Sequence, residues 1–318
     1  MYRGKSVAVV VPAFNEETQI AQVLGTMPAF VDEIIVIDDC SRDRTAEIVE
    51  SWHAGSDRRV TLFRHRERSG VGGAIATGYR QALDCGSDIV AVMAGDGQMP
   101  PEELPTILDP IVEERADYAK GNRLFSGEAW RQTPRPRYLG NAVLSLLTKI
   151  ASGYWHVADS QSGYTAIARR TLAELDLNAI YPRYGVPNDL LIKLNVIGAR
   201  VADVPIRAIY GIGERSKMRI WSVTPTIALL LFRGFLWRLF HRYVIRDFHP
   251  LVFFYAIGAL LVTVGVGLGS LETFLKITTG NIAIATVVLV ALLIISGGQM
   301  LLFAMWFDME YNRDLRAR

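Results

Sequence analysis

Residues 7–17 read VAVVVPAFNEE and residues 33–45 read EIIVIDDCSRDRT. Each begins with an apolar run too short for a helix, then breaks into carboxylates, amides and hydroxyls, as a buried strand ending in a polar turn does. A helical pattern follows each turn, from Glu16 to Met27 and from Asp43 to Trp52, with Ser41 or Asp43 as the cap of the second. The unit recurs as a strand at Val60–Phe63, a helix at Gly73–Leu83 and a strand at Ile89–Met93. Apolar strands alternating with helices predict an α/β fold, with a mostly parallel sheet covered on both faces. Such sheets bind ligands beyond the carboxyl ends of their strands. The residues that matter should therefore follow the apolar runs.

The chain has 318 residues, half of them apolar, more than one modest domain requires. The excess is concentrated at one end. Leu251 to Ser270 runs twenty residues without a charge and Asn281 to Phe307 runs twenty-seven, whereas a bilayer core about 30 Å thick is crossed by about 20 helical residues. With only Leu271–Gly280 between them, the two should form a transmembrane hairpin. Arg233, Arg238, Arg242 and Arg246 precede it and Arg313, Arg316 and Arg318 follow, while the connector carries Lys276 against Glu272. By the positive-inside rule both ends are cytoplasmic. Between Trp221 and Arg246, apolar residues recur at three and four, and Arg238, Arg242 and Arg246 fall four apart on another face. This pattern predicts an amphipathic helix at the membrane surface, its arginines among headgroup phosphates. The expected division is 1–218, a cytoplasmic domain; 219–249, interfacial helices; and 250–318, the hairpin with a short cytoplasmic tail.

A net charge of +2 makes no case for nucleic acid. Cys40 and Cys85 have no CxxC or histidine-rich partner, which suits free thiols in a reducing compartment. The opening MYRGKSVAVVV enters a strand-like run too short for a signal sequence. The five histidines show no zinc-ligand spacing.

Carboxylates at strand ends accept hydrogen bonds from a nucleobase and from ribose hydroxyls, so the turns after the first two strands suit a nucleotide held by base and sugar. The fourth strand runs into Ala94-Gly-Asp96-Gly-Gln98-Met-Pro-Pro101. An acidic residue there, before a proline-stiffened turn, can bind a hard divalent cation bridging a diphosphate. Arg123, ending the strand-like run Asp117–Lys120, can pair bidentately with phosphate. Gly211-Ile-Gly-Glu-Arg215-Ser216-Lys217-Met218 follows the last predicted strand, Val201–Ile209, and reads as a flexed loop able to close over a diphosphate.

In the order VPAFNEE, IIVIDDCSRDRT, GVGGAIATGY, AGDGQMPPE, GNR and DSQSGY, the chain resembles the family 2 glycosyltransferases of GT-A fold. More narrowly it resembles dolichol-phosphate mannose synthase and related polyprenyl-phosphate glycosyltransferases, over about Val7 to Met218. The resemblance implies a Rossmann-like GT-A sheet and a nucleotide pocket formed by Pro12, Ala13, Asn15, Glu16, Asp38 or Asp39, Gly95 and Asp96. It implies Mg²⁺ or Mn²⁺ on Asp96 and Gln98, although Ala94 stands where the family's first metal-site aspartate is usual. Arg123, Asp159 and Arg137 would join Asp96 in catalysis. Arg123, Arg135 and Arg137, the last two in a loop before a helix Leu139–Ile150, would bind phosphate with Arg215, Ser216 and Lys217. Asp159 would orient the acceptor or act as base. Asp189, in a predicted helix Pro187–Ile197, has a similar claim.

The implied reaction moves a hexose or N-acetylhexosamine from a UDP- or GDP-linked sugar to a dolichyl or undecaprenyl phosphate, with inversion, on a multi-pass protein of a cell membrane or endomembrane. A homo-oligomer is compatible with the sequence. A processive polysaccharide synthase would carry a Q-x-x-R-W segment and further spans, which are not present. A transferase acting on a lipid diphosphate or glycan, and a catalytically silent nucleotide-sugar-binding membrane protein, are the other readings.

Overall fold

The computed structural model describes residues 1–55, 59–124, 135–207, 220–281 and 283–317. The chain divides into two compact units, one of Met1–Phe235 with Asp314–Arg318 and the other of Leu236–Arg313.

The first unit is built on seven strands: β1 Val7–Ala13, β2 Glu33–Asp38, β3 Arg59–Arg64, β4 Ile89–Val92, β5 Tyr118–Asn122, β6 Thr165–Ala168 and β7 Val201–Pro205. They lie in the order β3-β2-β1-β4-β6-β5-β7. The pairs β1–β2, β1–β4, β2–β3 and β5–β7 are parallel. β6 runs antiparallel to both its neighbours, β4 and β5, so β4 and β5 point the same way with one strand between them. The mostly parallel sheet expected from the sequence is therefore observed, with β6 as a strand the pattern did not reveal.

Side chains of β1 alternate between two apolar layers, Val7, Val9 and Val11 on one face and Ala8 and Val10 on the other. The first layer is covered by α1 Ile20–Thr26, α2 Thr45–Gly55 and α4 Leu104–Val112, the second by α3 Val71–Asp84 and α7 Val186–Ile197. Three further helices follow the middle and end of the sheet: α5 Arg135–Ser152, α6 Arg169–Glu174 and α8 Ile220–Phe240. The helix expected from Glu16 starts at Ile20, because residues 15–17 are bonded to the turn after β2 instead. Arg135 and Arg137, expected in a loop, fall in the first turn of α5. The last strand is described to Pro205; Ala208 and Ile209 lie outside the described residues.

The chain's own tail meets the first residue of β7. Arg316 bridges Val201 in parallel, the Ala317 amide donates to the Val201 carbonyl at 3.1 Å, and Leu315 is buried in the second apolar layer.

In the second unit, α9 Leu251–Thr279 and α10 Ile284–Tyr311 are each long and apolar enough to cross a membrane. Only 22% and 11% of their most apolar windows are buried, which separates them from the core helices of a water-soluble protein. They meet where Gly258 faces Gly297; a Cβ on either would fall within 3.0 Å of the other's carbonyl oxygen. One expectation is corrected here. Arg238 does not face headgroups with Arg242 and Arg246: it is wholly buried, its guanidinium bonding both Asp308 oxygens at 2.8 and 2.9 Å, with Tyr243 and Asn312 completing the cluster. A carboxylate buried in an apolar hairpin requires a counter-charge, and that requirement overrides the four-residue arginine spacing. The predicted single helix to Arg246 also changes to a wider, π-type turn over His241–Arg246.

Two stability predictions follow from these packings. Gly78 lies on Val10, and an added Cβ would come within 2.2 Å of Val10 Cγ1; Gly78→Ala should destabilise the first unit by about 1–3 kcal/mol, seen as a lowered thermal midpoint. Asp308→Ala leaves the Arg238 charge unmatched and should destabilise the second unit by about 3–5 kcal/mol in detergent unfolding.

Candidate active site

The turns after β1 and β2 are joined to each other. The Asn15 amide donates to Ser41 Oγ at 2.9 Å, the Arg42 amide to Asn15 Oδ1 at 2.8 Å, the Glu16 amide to Thr45 Oγ1 at 2.8 Å and the Arg44 amide to Glu17 Oε2 at 3.1 Å. Asn15 and Cys40 take left-handed backbone angles, φ +55° and +65°, conformations that L-residues accept only where neighbouring structure enforces them. Asp43 accepts from the Thr45 amide and hydroxyl and from the Glu17 amide. Burial pushes its carboxyl up, but these bonds outweigh burial and hold it below the usual range.

The two adjacent aspartates have separate surroundings. Asp38 is fully buried, accepts from the Ser41 amide at 3.1 Å and has Arg64 Nε 3.4 Å away. Asp39 lines an open cleft of about 460 Å³ beyond the strand ends. Its Oδ1 accepts from the Ser69 amide at 2.7 Å and meets His65 Nδ1 at 2.9 Å; its Oδ2 accepts from the Gly70 amide at 2.8 Å. Asp39 thus holds the entry to α3, while the Gly72 amide donates to the Pro182 carbonyl at 2.8 Å and ties in the segment before α7.

Besides Asp39, four segments line the cleft: Pro12–Phe14 with Glu16, Arg68–Val71 with Ala74, Ala94–Asp96, and Arg183–Tyr184. The structure therefore brings together Pro12, Ala13, Glu16, Asp39, Gly95 and Asp96 as the sequence predicts. Asn15, Asp38 and Gln98 are not among the lining residues. The cleft also includes residues that sequence reasoning missed: Phe14, Arg68, Ser69, Gly70, Arg183 and Tyr184. The Arg68 guanidinium lies over the Phe14 ring at 3.9 Å, forming a flat cationic wall. Its signal was present in the basic run RHRERSG at residues 64–70.

Asp96 is set by the union of β4 with β1. The Gly95 amide donates to the Pro12 carbonyl at 3.1 Å, and a Cβ on Gly95 would press on Ala13 and Ile20 at 3.3 Å. The Gln98 amide donates to Asp96 Oδ1 at 3.1 Å. Among the described residues, no three His, Cys, Asp or Glu side chains converge as a metal cage. Asp96 alone fits a divalent ion of the Mg²⁺ type, which takes one or two carboxylates together with substrate phosphates and water.

A second polar group stands at the carboxyl end of β5. Arg123 Nε and Nη2 donate to Asp159 Oδ2 and Oδ1 at 2.7 and 3.1 Å, a bidentate pair. Burial pushes the Asp159 carboxyl up, but the Arg123 bonds and charge, with Lys120, hold it below the usual range. Tyr164 Oη donates to the Pro100 carbonyl at 3.0 Å and links this group to the Asp96 turn. With one strand between them, the ends of β4 and β5 are roughly 10 Å apart, a separation suited to an extended phosphate-bearing ligand. Asp189 lies elsewhere: its Oδ2 accepts from the Tyr181 amide at 2.8 Å and its Oδ1 pairs with Lys193. The side chains of Arg135 and Arg137, and the whole of Arg215, Ser216 and Lys217, lie outside the described residues.

Asp39→Ala should leave two amides unmatched at the entry to α3, at a cost of about 1–3 kcal/mol each. The measurement is a lowered thermal midpoint, with faster amide exchange confined to residues 68–73.

The family model for "Glycosyl transferase family 2" matches residues 8–175. A UDP-N-acetylglucosamine–dolichyl-phosphate N-acetylglucosaminyltransferase of Methanococcus voltae is 30% identical over 218 residues, covering 65% of this chain and 86% of its own. An undecaprenyl-phosphate mannosyltransferase of Micrococcus luteus is 31% identical over 215 residues, covering 67% and 87%. Among solved structures, the glucosyl-3-phosphoglycerate synthase of Mycobacterium tuberculosis superposes with a TM-score of 0.53 at 24% identity, over 74% of this chain and 80% of that one. That similarity concerns the fold, which is GT-A. With a matched model spanning more than half its length and relatives aligned over most of theirs, the chain belongs to glycosyl transferase family 2.

Proposed function

We propose that this glycosyltransferase moves a hexose or N-acetylhexosamine from a UDP- or GDP-linked donor to the phosphate of a polyprenol, with inversion, at the cytoplasmic face of a membrane. The observation that carries the reading is a combination within one chain. The domain is similar over most of its length to transferases named for dolichyl and undecaprenyl phosphate, and two exposed apolar helices follow it. An acceptor with a polyprenyl tail stays in the bilayer, so its enzyme must work at the headgroup plane. The concentration of arginine before and after the hairpin supports a cytoplasmic catalytic domain by the positive-inside rule.

In this reading the nucleoside lies in the cleft against the Phe14–Arg68 wall, with Glu16 and Asp39 toward base and ribose and Asp38 and Asn15 shaping the turns that carry them. The diphosphate runs toward Asp96. A divalent ion, when bound, would be held by Asp96, with Gln98 beside it, and would offset charge on the departing nucleoside diphosphate. Arg123, held in orientation by Asp159, faces phosphate as a bidentate donor. Arg135 and Arg137 at the start of α5 would take the acceptor phosphate, and Arg215, Ser216 and Lys217 would close over the donor. An acceptor phosphate is already ionised near pH 7, so Asp159 serves by orientation more than as a base. Attack by a phosphate oxygen on the anomeric carbon, opposite the leaving group, inverts that centre.

The test is incubation of the full chain with labelled UDP- and GDP-sugars, polyprenyl phosphate and Mg²⁺ or Mn²⁺, followed by organic extraction. Labelled lipid from at least one donor is expected; transfer only to a soluble acceptor such as phosphoglyceric acid would refute the lipid assignment. Asp96→Asn should lower kcat/KM by about 10²–10³-fold with an unchanged thermal midpoint.

A further inference from the structure

Lys120 is fully buried in the middle of β5, within the sheet and beneath the second polar group. Lysine is almost never buried to this degree without a partner, and an apolar residue of similar length would cost less at a purely structural position. On the same strand face its neighbours are Tyr118 and Asn122. In the sheet it stands opposite Thr165 of β6 and Asp203 of β7. Its ammonium donates to the Ser162 carbonyl, the last residue of the turn Asp159-Ser-Gln-Ser162.

That turn is fixed on every side. The Gln161 amide donates to Asp159 Oδ1 at 3.2 Å, and Gln161 Nε2 donates to Asn188 Oδ1 of α7 at 2.9 Å. Ser160 Oγ lies 3.5 Å from Ser145 Oγ of α5. Asp203 Oδ2 accepts from Asn122 Nδ2 at 2.7 Å and from the Ala158 amide at 3.1 Å, so β7 holds the residue preceding Asp159. Lys120 is the cation at the base of this arrangement, and Asp159 in turn is the bidentate partner of Arg123.

We propose that Lys120 is a positioning residue for transfer: by holding the Ser162 carbonyl beneath the turn, its ammonium fixes Asp159 and through it aims the Arg123 guanidinium at phosphate. The proposal rests on the phosphate-binding role of Arg123 given above.

The charged groups facing Lys120 define its pH behaviour. Burial pulls its pKa down to about 8; Asp159 opposes this, Arg123 adds to it and Asp203 opposes it. Burial also pushes the Asp203 carboxyl up, opposed by its bonds from the Ala158 amide and Asn122 and by the Lys120 charge. Tyr118 and Tyr79, in the same layer, are raised beyond it by burial. The ammonium therefore keeps its proton below pH about 8 and loses it above. In the full-chain enzyme kcat should fall through that pH, while the donor KM changes little.

The experiment compares wild type, Lys120→Met and Lys120→Arg in two measurements. In the transfer assay, Lys120→Met should lose about tenfold or more in kcat at neutral pH with donor KM within about twofold, and its alkaline fall should disappear. Lys120→Arg should keep most activity and carry it to higher pH. In the second measurement, amide exchange of residues 159–164 is followed at pH about 7 and about 9, corrected for intrinsic rates. Lys120→Met should lose protection there and not in β1 or β2; wild type should lose it only at the higher pH. Unchanged protection in Lys120→Met, or a kcat within twofold of wild type with the same pH profile, overturns the proposal. If wild type transfers to no lipid, the functional reading fails while the exchange measurement still decides whether Lys120 holds the turn. If the arginine variant does not fold, the wild-type and methionine arms decide alone.

Discussion

The site depends on the reciprocal bonding of the turns after β1 and β2. Parallel strands leave their carboxyl ends as separate loops, and the sheet's own hydrogen bonds do not bring those loops together. Here Asn15, Glu16 and Glu17 exchange amides and side-chain oxygens with Ser41 through Thr45. The union forces two non-glycine residues into left-handed backbone and moves the start of α1 four residues downstream. In return it makes one rigid wall from two loops. Asp39 extends that wall to the entry of α3, and the Gly95–Pro12 bond adds the turn after β4. A site assembled in this way is pre-organised before any ligand arrives, which lowers the entropy lost on binding.

Buried charge is used twice, in different solvents. At the carboxyl end of β5, Asp159 pairs with Arg123, and that pair together with the Lys120 charge holds its carboxyl below the usual range despite burial. Within the hairpin unit, Arg238 and Asp308 neutralise each other with Tyr243 and Asn312 as further hydrogen-bond partners. Pairs of this kind add little to stability compared with apolar residues of the same volume, but the loss of one partner is costly. They act as registers: each fixes one element against another in a single arrangement.

Much of the sheet was legible because its strands are apolar throughout and each ends in a polar turn. β6 was not, since its four residues, TAIA, have no period to read and follow closely on the DSQSGY motif. Asp39, Asp96 and Arg123 could be singled out by residue type and place after a strand, and Asp159 by the resemblance of DSQSGY to the family's motif. Their partners could not, because the Asp39–Gly70 and Arg123–Asp159 contacts join residues 31 and 36 apart through the topology of the sheet. The same holds for Arg238: spacing along its helix pointed to solvent, whereas a carboxylate 70 residues away decides its position. Lys120 was passed over as the last residue of a strand-like run, and its complete burial depends on β6 and β7, which flank β5 on either side.

The bridge between the tail and β7 bears on how the protein is made. Residues 314–317, which carry it, leave the ribosome only after both apolar helices have been synthesised, although they belong to the first unit. Until then the Val201 carbonyl lacks the Ala317 amide and the second apolar layer lacks Leu315. The first unit therefore gains its last contact only after the hairpin has been translated, and a ribosome stalled before residue 314 would hold a sheet without it.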